Sequence, residues 1–343
     1  MRIGIIGAGG IGGVVGGLLS NSGYDVTLID QWHEHVVAIK NNGLKVETQE
    51  KTYNTYPKSL SISELQNISI FFDASFIAVK SYDTEWATQL MKIYTNPKTG
   101  YFVDFQNGIN DHRMASIVGK DKSLGSVITI GAACYEPGKV IRTDNYHLGF
   151  KVAEQDGSIS DRLKDLKNIL SNVAETEISS DLWGERWSKL MVNCMANALA
   201  GLTGYSTSEV RTIPEVRRIG IQLGAEAARV ALAMGFKLHS VLSLSPEQII
   251  DASEGKNIEI VENSLSETAR RSGSAGRPSF GQDVLKKRRT EIEFLNGYVS
   301  EKGREVNIPT PFNDEIIDIV NDLGIGFDPD PKHIDKLIKM LPY

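Results

Sequence analysis

The chain has 343 residues, 37 of them Lys or Arg and 43 Asp or Glu, for a formal net charge of -6 with 41% hydrophobic and 23% charged residues. That length predicts two domains with separate cores, and the balance excludes long disorder. It also makes nucleic acid a poor partner, since neutralising phosphates needs a basic face and the one dense basic run, KKRR at 286–289, is short.

The N-terminal run MRIGIIGAGGIGGVVGGLLS has one positive charge followed by apolar residues, as a signal peptide does, but the glycines that fill it weaken an isolated helix. Read instead as strand, turn and helix, it opens a first half in which short apolar runs alternate with helical patterns, as in βαβ units. Strands are expected at Arg2–Ile6, Asp25–Ile29, Phe76–Val79, Tyr101–Phe105 and Gly125–Ile130. A hairpin over 139–152 turning at Asp144-Asn145 and a strand around Glu175–Ser179 complete this half. From Leu182 the pattern becomes helical, with periodicity over 183–204, 214–235, 246–270, 279–302 and 312–323. Gly201 and Gly204 read as helix stops, Pro214, Pro246 and Pro278 stand where helices begin, and the Gly/Ser-rich stretch 270–279 reads as a loop. The domain boundary is expected at 180–184. Two cysteines, Cys134 and Cys194, cannot build a disulfide framework, and no stretch approaches the roughly 20 apolar residues of a membrane span. The expectation is a soluble, cytoplasmic protein without membrane association.

Gly7-Ala8-Gly9-Gly10-Ile11-Gly12 matches G-x-G-x-x-G directly after a strand and before an apolar helix. In that context Gly7 makes the tight turn, Gly9 lets the backbone approach a pyrophosphate, and Gly12 lets the helix sit close to the strand. The helix N-terminus offers unpaired N–H groups to the phosphates. Asp30 ends the second strand 18 residues beyond Gly12, where a carboxylate accepts from the adenosine ribose hydroxyls and repels a 2′-phosphate. Residues 31–35, QWHEH, hold no Arg or Lys to receive that phosphate, so NAD(H) is expected over NADP(H). Two alternatives stay open: Asp30 as a cap of the strand end, and Lys80 as a cation for the phosphate.

Lys189, Asn193 and Asn197 recur at i, i+4 and i+8, within an arc of about 80° on a helix. Ala196 and Ala200 flank this stripe, and Met191, Met195, Leu199 and Leu202 should be buried behind it. A cation and two amides on an apolar helix are costly to bury without a ligand or satisfied partners. Carbonyl reduction needs a proton for the nascent alkoxide, which Lys189 can donate while the amides orient polar substrate groups. An interdomain polar seam fits the helix geometry equally well.

The Gly7–Gly12 turn, AVK ending at Lys80, QNG at 106–108, ERWSKLMVNCMANALAGLTG at 185–204 and SFGQDVLKKRRTEIEFLNGYV at 279–299 resemble the ketopantoate reductase (2-dehydropantoate 2-reductase) family over nearly the whole chain. The resemblance implies an α/β chain: an N-terminal Rossmann dinucleotide-binding domain, residues 1–182, then an all-helical substrate-binding and catalytic domain, residues 183–343, with the active site in the cleft between them. It implies Lys189 as general acid, Glu291 on a substrate hydroxyl, Asn193, Asn197 and Ser279 on the oxo acid, and Asn107 beside the nicotinamide. Ser279 with Gln282 also reads as a capping box, Glu291 as an i−4 partner of Lys287 on a solvated face, and Asn107-Gly108 as a turn. Lys80, at the end of its own strand, is a candidate for cofactor phosphate or ribose contact.

There are departures from the family pattern. Phe280 and Gly281 stand where Met or a similar aliphatic residue is expected, the Ser-rich region 237–279 is long, and Asp30 contrasts with the NADPH use of well-known members. The leading expectation is reduction of ketopantoate to (R)-pantoate for pantothenate and coenzyme A synthesis. An NAD-dependent D-2-hydroxyacid dehydrogenase for branched or aromatic substrates is the second reading, favoured by Asp30 and Phe280. A sensor that binds NAD(H) without turnover is the third. No metal is expected, because the six histidines show no ligand-like spacing beyond His33-x-His35. A homodimer and a monomer are equally consistent with the sequence.

Overall fold

In the computed structural model, which describes residues 1–144, 147–272 and 277–342, the chain divides into two units, Met1–Leu182 and Trp183–Tyr343. No helix among the described residues is long and apolar enough to cross a membrane.

The strands of the first unit are β1 (Arg2–Ile6), β2 (Asp25–Asp30), β3 (Leu44–Glu47), β4 (Thr52–Thr55), β5 (Lys58–Ser61), β6 (Ala74–Ile77), β7 (Tyr101–Asp104), β8 (Ser123–Ile128), β9 (Ala132–Glu136), β10 (Lys139–Arg142), β11 (Leu148–Glu154) and β12 (Glu175–Ile178). Its helices are α1 (Gly10–Asn21), α2 (His33–Asn42), α3 (Thr84–Tyr94), α4 (Asp111–Val118) and α5 (Asp161–Leu170). An eight-stranded sheet runs in the order β12-β11-β8-β7-β6-β1-β2-β5. Its members from β8 through β5 are parallel, whereas β11 enters antiparallel to β8. Strands β6 and β7 are buried along their whole length, polar Ser75 and Asp104 included, so neither alternates between a buried and an exposed face. The chain leaves β1 for β2 on one side and later returns to β6 on the other. The carboxyl ends of β1 and β6 therefore flank the crevice where open α/β sheets bind ligands.

A second sheet, β4-β3-β10-β9, lies over the other side of α1, and it accounts for the glycines of the N-terminal run. A Cβ on Gly16 would stand 2.5 Å from Leu28 Cδ2 of the large sheet, and one on Gly17 2.5 Å from Val46 Cγ2 of the small one. One on Gly13 would stand 2.6 Å from Val140 Cγ1. A helix pressed between two sheets has no room for side chains on either contact face, so the glycines come in adjacent pairs one turn apart. This small sheet also overturns the expected hairpin over 139–152. Strand β10 pairs with β9 and β3, whereas β11 belongs to the large sheet. The actual hairpin is β9–β10, turning through Gly138 at φ 73°. Asn145, in the expected turn, lies outside the described residues.

The second unit consists of α6 (Leu182–Thr203), α7 (Thr207–Thr212), α8 (Pro214–Ala233), α9 (Pro246–Ser253), α10 (Ile258–Ser272), α11 (Ser279–Leu285), α12 (Asn296–Glu305), α13 (Pro311–Leu323) and α14 (Asp335–Lys339). Gly204, at φ 77°, ends α6 as expected, but Gly201 lies inside it. A Cβ on Gly201 would stand 2.4 Å from Phe280 Cδ1, so that glycine is a seat for the ring of Phe280, 1% exposed. Gly220 and Gly224, one turn apart on α8, likewise bring α8 against Met195 of α6. The helices expected over 246–270 and 279–302 are each broken. The first breaks at Gly255 (φ 81°) and Asn257 (φ 51°), left-handed residues that end α9. The second breaks after Leu285, where Lys287 (φ 55°) swings its ammonium onto the carbonyls of Gly326 and Phe327 and the carboxylate of Asp328. The loop expected over 270–279 is shorter than its bounds, since α10 runs on to Ser272 and α11 begins at Ser279; residues 273–276 lie outside the described residues.

Glu226 of α8, 4% exposed, joins α8 to the first turn of α13. Its carboxylate accepts from the N–H groups of Phe312 (2.9 Å) and Asn313 (2.9 Å) and from Asn313 Nδ2 (2.7 Å), satisfying amides that α13 cannot pair internally. Burial pushes its pKa up to about 7 against the downward pull of those bonds. A carboxyl raised in the fold contributes stability below its unfolded pKa of 4.5 that is lost as pH rises through about 7. The loss amounts to roughly 3 kcal/mol. Glu226→Gln should therefore flatten the fall in melting temperature between pH 5 and pH 8. Parallel wild-type and variant profiles would remove Glu226 as its source.

Candidate functional site

At the carboxyl edge of the large sheet, the glycine turn between β1 and α1 is held by backbone. Gly7 takes φ 97°, donates its N–H to Ile29 O at 2.8 Å, and would put a Cβ 2.7 Å from the backbone of Ala78. A Cβ on Gly10 would meet the backbone of Ala132 at 2.9 Å, and one on Gly12 would lie 1.9 Å from Gly7 O. Ile11 packs its side chain against the core. Gly9 differs from these, since a Cβ there would have nothing within 4 Å. Gly9 is also the N-cap of α1, and no side chain caps that end. An uncapped helix start beside open space on a bare backbone is a cradle for phosphate, and it fits the pyrophosphate of a dinucleotide.

Asp30 does act as the cap left open by the sequence. Its Oδ2 accepts from Ala8 N–H at 2.6 Å and its Oδ1 from Trp32 N–H at 2.8 Å. The carboxylate thus closes the glycine turn from below while keeping acceptor capacity for hydroxyl groups.

Lys80 and Asn107 emerge from the carboxyl ends of the neighbouring strands β6 and β7, both half-buried. Gln106 Nε2 donates to Val79 O (2.9 Å), Ser81 Oγ to Asn107 O (3.1 Å), and Asn110 Nδ2 to both Asn107 O (2.9 Å) and Ser81 Oγ (3.1 Å). Arg113 completes the lattice through Ser81 O and Asn110 Oδ1, each at 2.7 Å. These amides and the arginine, absent from the sequence reading, lock the two loops together; nothing in their spacing along the chain announces it. Asn107-Gly108 is a turn, with Gly108 at φ 78°, and its carbonyl is the hub of this lattice.

In the second unit, Asn193 and Asn197 are 6% and 8% exposed, and Met191, Met195, Leu199 and Leu202 are buried. Asn193 Nδ2 is buried and makes no hydrogen bond among the described residues, so the stripe carries a donor that they leave unsatisfied. Lys189 is half-buried by surface area. Desolvation, and secondarily the charge of Arg186, lowers its pKa from 10.5 to about 8. That brings the ammonium close to the working range of a general acid.

Two local expectations fail. Ser279 is the first residue of α11 and Pro278 precedes it as N-cap, without a side-chain cap, so Ser279 does not form a capping box with Gln282. The Gln282 amide turns back to Arg277 O at 3.2 Å. Glu291 is not a solvated i−4 partner of Lys287. It is 3% exposed at the start of a 3-10 turn, Ile292–Phe294, while Lys287 bonds elsewhere. Phe280, packed on Gly201, supplies core to α11, and its bulk no longer argues for an aromatic substrate.

Residues 3–155 match the family described as "Ketopantoate reductase PanE/ApbA", and residues 181–324 match "Ketopantoate reductase PanE/ApbA C terminal". A 2-dehydropantoate 2-reductase of Pyrococcus horikoshii is 27% identical over 91% of this chain and 94% of its own. The crystal structure of a PanE/ApbA family ketopantoate reductase from Ralstonia eutropha JMP134 superposes with a TM-score of 0.77 at 25% identity, covering 94% of this chain and 97% of that one. A D-mandelate dehydrogenase solved with NADH and anilino(oxo)acetate superposes at 0.78 with 21% identity over the full length of both chains, a likeness of fold.

Proposed function

Since this chain belongs to the ketopantoate reductase family, we propose that it reduces a branched 2-oxo acid, 2-dehydropantoate, to (R)-pantoate with a reduced nicotinamide dinucleotide. The observation that carries the reading is the α6 stripe: a lysine whose pKa is lowered to about 8, one helical turn from a buried asparagine whose Nδ2 has no hydrogen-bond partner among the described residues. The dinucleotide, when bound, supplies the hydride. The glycine turn and the open start of α1 hold its pyrophosphate, Asp30 meets its ribose hydroxyls, and Lys80 and Asn107 border it from the next two strands. Lys189 gives its proton to the carbonyl oxygen as the alkoxide forms. Asn193, Asn197 and Ser279 hold the carboxylate, and Glu291 accepts from the substrate's terminal hydroxyl.

We assign NADH as the preferred donor. A 2′-phosphate about 4 Å from the Asp30 carboxylate meets like-charge repulsion of about 1–4 kcal/mol, so kcat/KM should favour NADH by about fivefold or more. Steady-state rates with each dinucleotide, against ketopantoate and a panel of branched and aromatic 2-oxo acids, test both parts. A preference for NADPH would move the phosphate to Lys80. Turnover restricted to acids lacking the terminal hydroxyl would strip Glu291 of its role and make the chain a hydroxyacid dehydrogenase. Dinucleotide binding without turnover of any acid would leave a sensor.

A further inference from the structure

His35 is completely buried in the first turn of α2, although a histidine at that position could have faced solvent. Its Nδ1 accepts from Gly138 N–H at 3.0 Å, and because an N–H can only donate, the ring proton must sit on Nε2. Nε2–H then donates to Ala8 O at 3.0 Å. The ring stacks on Trp32, with centroids 5.3 Å apart and planes at 12°. Ala8 is thus gripped through both of its peptide groups, its N–H by Asp30 and its carbonyl, which shares a plane with the Gly9 N–H, by His35. Ala8 is the residue between Gly7 and Gly9, so this grip sets the direction of the open backbone at Gly9.

We propose that His35 is a positioning residue for the dinucleotide, tying the glycine turn to the β9–β10 turn at Gly138 so that the Gly9 backbone is aimed before a ligand arrives; this rests on the reading that the glycine turn takes a dinucleotide. Only the neutral ring can do this, since it must accept at Nδ1 and donate at Nε2 together. The charged and titratable groups facing it are the Asp30 carboxylate, which favours a proton on the ring, and the Cys134 thiol, whose Sγ lies 4.0 Å from Nδ1. Burial outweighs Asp30 and lowers the His35 pKa below its ordinary 6.5. On acidification the ring takes a second proton, Gly138 N–H loses its acceptor, and the grip on Ala8 slackens.

Calorimetric titration of the intact protein with NAD+, from about pH 8 down to about pH 5, tests this on wild type, His35→Gln and His35→Leu. The glutamine amide offers one donor and one acceptor about as far apart as the ring nitrogens and does not titrate. The wild type should lose affinity on the acid side, His35→Gln should bind at pH 8 within a small factor of wild type and lose much less in acid, and His35→Leu should bind about tenfold more weakly at every pH. An acid-side loss in His35→Gln equal to that of wild type overturns the inference, as does wild-type affinity in His35→Leu. Should the leucine variant not fold, the glutamine comparison decides alone. Absence of dinucleotide binding by the wild type at any pH would instead sink the proposed function on which this rests.

Discussion

Lys189→Ala should lower kcat by about 10²–10⁴-fold while leaving dinucleotide affinity unchanged. The separation is expected because the glycine turn belongs to Met1–Leu182 and is held by that unit's own backbone, whereas Lys189 stands on α6 with Asn193 and Asn197. The size of the loss is that of a positioned proton donor, and a variant that kept near-full turnover would remove Lys189 from the mechanism. The pH dependence has a definite sign. Desolvation, and then Arg186, brings the Lys189 pKa down to about 8, and a general acid must carry its proton. For reduction, kcat/KM should hold below about pH 8 and fall above it. For oxidation of the hydroxy acid the amine must be bare, so kcat/KM should climb toward pH 8 and level off. Profiles in both directions check this, and a reduction profile flat to pH 10 would mean that another group gives the proton.

Gly9→Ala and Gly12→Ala should separate binding from folding. A Cβ on Gly12 would sit 1.9 Å from Gly7 O and 3.1 Å from Ala78 Cβ, against backbone and a short side chain that cannot rotate away. The helix must back off from β1, and overpacking of this kind costs about 1–3 kcal/mol or more, with the turn displaced as well. Gly12→Ala should therefore melt earlier and bind dinucleotide poorly. Gly9→Ala meets nothing within 4 Å, and its φ of −65° is open to any residue. It should melt with the wild type, yet its methyl group occupies the space assigned to pyrophosphate, so affinity should drop about 10–100-fold. Unchanged dinucleotide affinity in a well-folded Gly9→Ala would place the phosphates elsewhere.

Much of this was legible from local pattern. The strand–glycine–helix order at 2–21, the acid at Asp30 and the i, i+4, i+8 stripe on α6 are short-range features, and backbone geometry places them with little tertiary help. Most of the parallel strands were visible because burial on both faces favours apolar residues throughout, but β5, with its polar Lys58, Ser59 and Ser61, was not. The small sheet was not either, since β3 takes its partner from β10, far along the chain, and β4 joins the sheet through β3. The false hairpin at 139–152 has the same origin, because pairing choice is non-local.

What the sequence by itself determined is the order of elements, the glycine turn and the polar face of α6, all of which follow from dihedral preference and helical period. Only the tertiary structure decided what several of those residues are for. Gly201 reads as a helix stop but is a seat for Phe280; Glu291 and Lys287 stand at helical spacing but part where the chain turns at Lys287; Asp30 both ends a strand and grips Ala8. His35, to which the sequence reading gave no role, spans two turns brought together only by the second sheet. The physical reason is the same throughout. Close approach, desolvation and hydrogen bonds between distant residues depend on which surfaces meet, and a one-dimensional pattern does not carry that information.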